Sequence, residues 1–68
     1  MPFPTPLEER SVELHLGSRS AIATLQRGEK GWFVDVIAEN DRPDIAGNDQ
    51  FYSAADKAME AAKALWLS

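Results

Sequence analysis

Between Phe51 and Leu67 the chain carries a run of alanines and long apolar residues at helical spacing. Nothing else constrains the fold as strongly. Ala54, Ala58, Ala62 and Leu65 fall on one helical face, widened by Ala55, Met59 and Trp66. Asp56, Lys57, Glu60 and Lys63 fall on the opposite face. Ser53 is the expected N-cap, with Asp56 three residues on, where a capping box places an acid. Phe51 or Tyr52 is expected to staple the helix start. A helix of this length is marginal alone in water, so its apolar stripe needs a partner surface. Only the segment before it can provide one.

That segment alternates. In Ser11–Leu16, Val12, Leu14 and Leu16 face one way, and Glu13 and His15 the other, which describes a half-buried strand. Gly17-Ser18 supplies a turn. Ala21–Arg27 reads as a second strand. Gly28-Glu29-Lys30-Gly31 reads as a hairpin loop. Gly31–Ala38 is the third strand, with Trp32, Val34 and Val36 on the uncharged side. That side is assigned to the helix. Phe33, Asp35 and Ile37 are then left on a face that one helix cannot cover, and such a patch suggests an interface. The expected fold is α+β: a small three-stranded antiparallel sheet packed against one C-terminal helix, in the order β-β-β-α. Residues 1–10, with prolines at 2, 4 and 6, are expected to form an extended leader, and 11–68 a single domain.

A 68-residue chain has one small core and buries only about 60% of its unfolded surface, which favours association, including as a homodimer. Cysteine is absent, so disulfide and thiolate chemistry are excluded. The apolar runs are too short to span a membrane, the N-terminus lacks signal-peptide character, and a cytoplasmic protein is expected. Net charge is −4. The acidic excess lies in 31–52, where Asp35, Glu39, Asp41, Asp44 and Asp49 oppose Arg42 alone. This distribution argues against direct nucleic-acid binding, which needs a basic footprint, and fits a basic protein partner.

No chemistry is legible. His15 is the lone histidine, so no metal site is expected. The acidic loop 39–50 does not have calcium-loop spacing. The serines lack a nucleophile elbow, and the glycines form no phosphate loop. Neither catalysis nor a cofactor is expected.

Pro43-Asp44-Ile45-Ala46-Gly47, with Ala58 following in the helix, resembles the Pro-Asp-Leu-Pro-Gly…Glu-Ala spacing of HicB-like antitoxin domains. Gly31-Trp32-Phe33-Val34-Asp35-Val36 is similar to the glycine-aromatic strand that precedes that segment in the family. About six residues are inserted between Val36 and Pro43, and Ala46 stands where the family has a second proline. The family's DNA-binding module is not expected here. The resemblance implies a non-catalytic domain that binds and blocks a small basic ribonuclease toxin. A different reading is an acidic inhibitor of the kind phages make against host nucleases or defence complexes, its carboxylates imitating nucleic-acid phosphates. On either reading the contacts are expected from His15, Phe33, Asp35 and Ile37. The acids Glu39, Asp41, Asp44 and Asp49 complete the expected surface.

Overall fold

Three long strands form a meander in the computed structural model, which describes residues 8–68. They are β1 (Glu8–Leu16), β2 (Arg19–Gly28) and β3 (Gly31–Glu39). A two-residue strand, β4 (Ile45–Ala46), adds to the free edge of β3, and helix α1 (Ala55–Leu67) follows. All pairings are antiparallel, in the order β1-β2-β3-β4. The α+β fold is therefore the one expected, with a minor fourth strand. The first strand starts earlier than expected: Glu8, Glu9 and Arg10 are strand, not leader. The rest of the leader, residues 1–7, lies outside the described residues.

Short turns set the register. Gly17 takes a positive φ of 60° at the first central position of the β1–β2 hairpin, a conformation glycine adopts without a Cβ clash. From there β1 and β2 pair without interruption, from Leu16↔Arg19 to Glu8↔Arg27.

The β2–β3 ladder is interrupted once. Leu25 pairs with Val34 and Thr24 with Val36, so Asp35 has no partner across the ladder. This is a β-bulge, and it reverses the side-chain alternation beyond it. Trp32 and Val34 are buried before it; Ile37 is buried after it, at 0% exposure. Val36, expected inside, lies outside the core, and Ile37, expected on the outer face, is inside it. Strict alternation fails here because one inserted residue moves every later side chain to the other face.

Ala58, Ala62 and Trp66 are the buried residues of α1. They join Leu14, Ala21, Ala23, Leu25, Trp32, Val34 and Ile37 in one core. Alanines on both the helix and β2 let the two elements approach closely. The helix lies over β2 and β3.

Tyr52 fixes where the helix enters. Its backbone pairs with that of Trp32 in both directions, at 2.7 and 2.8 Å. This contact needs glycine at 31, where a Cβ would meet the Tyr52 carbonyl oxygen at 2.6 Å. Because Tyr52 is held extended, the helix starts later than expected. Ala54 is the N-cap residue, in extended backbone, and no side chain caps the helix. Ser53 is therefore not the cap. Phe51 remains 47% exposed, and Tyr52 packs on the core.

The expected loop carries a second close approach. The Gly47 amide donates to the Asp35 carbonyl at 3.3 Å. A Cβ on Gly47 would stand 1.8 Å from the Val34 carbonyl oxygen. The glycine of the Pro43–Gly47 segment is thus required where the chain leaves β4 close against the edge backbone of β3.

Candidate protein-binding surface

The helix covers one face of the sheet, and no described element covers the other. Pairing and alternation put Ile22, Thr24 and Gln26 of β2 on this outer face, opposite Ala38, Val36 and Phe33 of β3. Ile22 is 42% exposed. Phe33 is half-buried and meets Phe51 edge-on, with ring centroids 5.6 Å apart. Lys30 places its Nζ 5.7 Å from the Phe51 ring. The result is an apolar band formed by Ile22, Val36, Phe33 and Phe51.

Polar residues border the band. On β1, Glu9, Ser11, Glu13 and His15 pair with Gln26, Thr24, Ile22 and Ser20. Gln26 donates to Glu9 at 2.9 Å, and the His15 ring nitrogen meets the Glu13 carboxylate. Asp35 is exposed at the bulge, next to Val36. Asp35, Asp41, Asp44 and Asp49 take part in no ion pair among the described residues.

The eight expected contact residues separate into three groups. His15, Phe33 and Asp35 belong to the outer face. Ile37 is in the core and offers nothing to a partner. The acids of 39–50 do not form one patch. Asp41, held at a positive φ of 64°, and Asp49, at 60°, project from separate turns. Asp44 lines an open groove of ≈ 330 Å³ with Arg42, Ile45 and Trp66, at the C-terminal end of the helix.

Glu39 is the clearest correction among the acids. Its side chain is 9% exposed and fully engaged. Arg19 donates two hydrogen bonds to it, at 2.9 and 2.8 Å, and Trp66 Nε1 donates a third at 2.9 Å. Arg42 approaches to 3.6 Å. The Arg19 guanidinium also stacks 5.0 Å from the centroid of the Trp66 ring. Hydrogen bonds from Arg19 and then Trp66 hold the Glu39 carboxyl at about 2. The same carboxylate raises the pKa of Arg19. Glu39 therefore fastens β2, β3 and the helix end to one another, and it is not available as a partner contact.

Ile22, Val36 and Phe51 are surface residues the sequence reading missed. Ile22 was legible by period, because Ala21, Ala23 and Leu25 alternate around it and are all buried. Val36 was not, because its position depends on the bulge. Among the described residues no group of three or more His, Asp or Glu side chains is placed to hold a metal ion. No described helix is long and apolar enough to cross a membrane. No protein-family model, curated protein or solved structure matches the chain significantly.

Proposed function

We propose that this chain is a small non-catalytic binding module that inhibits a basic protein by occupying its surface, in the manner of the antitoxin domains its Pro43–Gly47 segment resembles. The observation that carries the reading is the band of Ile22, Phe33, Val36 and Phe51, which no described element covers, bordered by Glu9, Glu13 and Asp35. A contiguous apolar surface rimmed by charge is characteristic of a protein-binding site. Lys30 stands against Phe51, but Glu9, Glu13 and Asp35 leave the rim acidic on balance, which favours a basic partner. A small ribonuclease has such a surface, because it must attract RNA phosphates. Covering that surface blocks its activity without any chemistry by the inhibitor.

A candidate basic ribonuclease toxin from the same genome provides the test. Binding rates are measured at two salt concentrations, together with cleavage of RNA. The expected result is a stoichiometric, inhibited complex. Phe33→Ala removes an aromatic anchor and is expected to speed dissociation, weakening binding by about 2 kcal/mol. Asp35→Lys with Asp41→Lys is expected to slow association and to reduce its salt dependence. Binding that neither change affects overturns the assignment of the surface.

The exposed carboxylates of Asp35, Asp41, Asp44 and Asp49 favour a second reading, in which the acids replace nucleic-acid phosphates on a host nuclease or defence complex. The two readings differ in which change matters. A phosphate mimic loses inhibition mainly on charge reversal and is displaced by competing nucleic acid. An apolar dock loses it mainly at Phe33.

A further inference from the structure

We infer that two copies of this chain pair through the outer edge of β1, in antiparallel register centred on Val12, to form one continuous eight-stranded sheet. β1 is a nine-residue edge strand with no bulge in its pairing to β2. Among the described residues nothing pairs with its other side. The opposite edge of the sheet is different: β4 covers it with two residues beyond a bulge. A long, regular open edge presents a row of unpaired N–H and C=O groups. The two-residue hairpin closes on Leu16↔Arg19, so ladder alternation turns the backbone groups of Glu9, Ser11, Glu13 and His15 outward.

The sequence of β1 complements itself in one register. With Val12 opposite the partner's Val12, each Glu9 faces the partner's His15, twice by symmetry. Ser11 faces the partner's Glu13. Sliding the strands by two residues one way sets Glu9 against the partner's Glu13. Sliding the other way sets Glu13 against the partner's Glu13. Both slides bring like charges together, so the charge pattern selects the central register.

The helix-facing side of β1 fits the same arrangement. The helix lies mainly over β2 and β3, which leaves Leu16 47% exposed and Val12 half-buried. An open groove of ≈ 340 Å³ runs between β1 and the helix, lined by Leu14, His15, Met59 and Lys63 among others. In the central register the partner's Val12 extends this layer. The aliphatic stems of the partner's Arg10 and Glu8 come opposite Leu14 and Leu16. The sheet edge carries the dimer and the apolar band the function proposed above; both involve Glu9 and Glu13, so Phe33→Ala, confined to the band, and Ser11→Pro, confined to the edge backbone, separate them.

Sedimentation velocity across a concentration series of the full chain tests it. The wild type is expected to show a monomer–dimer equilibrium. Ser11→Pro removes one outward N–H at a position where a folded edge strand tolerates proline, and is expected to give a folded monomer. His15→Glu is expected to raise the dimer dissociation constant about tenfold or more, and adding Glu9→Lys to restore it. Phe33→Ala is expected to leave the dimer intact. A chain that is monomeric throughout overturns the inference. So does a dimer that survives Ser11→Pro, or one that is indifferent to the His15→Glu and Glu9→Lys pair. If Ser11→Pro fails to fold, the charge exchange alone decides.

Discussion

Glu39 shows how one residue's role can be opposite to its composition. In sequence it belongs to an acidic run, and a free carboxylate is the natural expectation. Folding brings it beside Arg19, twenty residues earlier, and Trp66, twenty-seven later. Neither distance is visible in a local pattern. Its carboxyl is held at about 2, against an ordinary 4.5. A carboxyl depressed on folding stabilises fully above its unfolded value, and the contribution is lost as pH falls through the folded one. Melting temperature is therefore expected to fall between pH 4.5 and about 2 in the wild type through this group. Glu39→Gln is expected to melt lower at neutral pH and to lose that part of the slope. Thermal melts of both proteins over a pH series read the difference.

At the scale of elements, the helix, two hairpins and most strand positions were legible from periodicity and glycine placement. What failed was local and has physical causes. The bulge at Asp35 inverted the two residues after it, since period-2 reasoning carries no signal for an inserted residue. The lone acid within an apolar strand was the one hint. The cap failed because Tyr52 is tied to Trp32, and that tie delays the helix by a residue. A paired test follows at the bulge. Ile37→Ala empties a fully buried site and is expected to cost about 2–5 kcal/mol. Val36→Ala, outside the core, is expected to cost well under about 1 kcal/mol. Urea unfolding of the two variants checks the order. Equal losses, or the reverse order, mean β3 pairs without the bulge. Ser53→Ala is expected to leave the melt unchanged, because no cap is lost.

For the whole molecule, the α+β class was readable because one amphipathic helix and three alternating segments admit few arrangements. The candidate surface was readable in part. Phe33 and Asp35 stand where alternation put them, but the net charge of 31–52 does not gather into one patch, since loop acids project from different turns. A single core in a chain of this length supplies only about 3–5 kcal/mol. Trp32→Ala, at a 7% exposed position, is expected to cost a similar amount, about 3–5 kcal/mol. Circular dichroism of that variant is expected to show a largely unfolded chain. The two tryptophans have a further use. Each indole lies under an arginine of the sheet, Trp32 under Arg10 at 5.2 Å and Trp66 under Arg19 at 5.0 Å. They stand at opposite ends of the helix layer, one bridged to Tyr52 and the other in the last turn of α1. The protein thus carries two tryptophan fluorophores with similar cationic neighbours, of which, among the described residues, only Trp66 donates to a carboxylate. Acid protonates that carboxylate, so a low-pH emission change that persists in Trp32→Phe and is lost in Trp66→Phe reports the last turn of α1, and the opposite pattern reports the Tyr52 bridge. Light emission therefore distinguishes a helix loosening from its C-terminal end from one loosening at its entry.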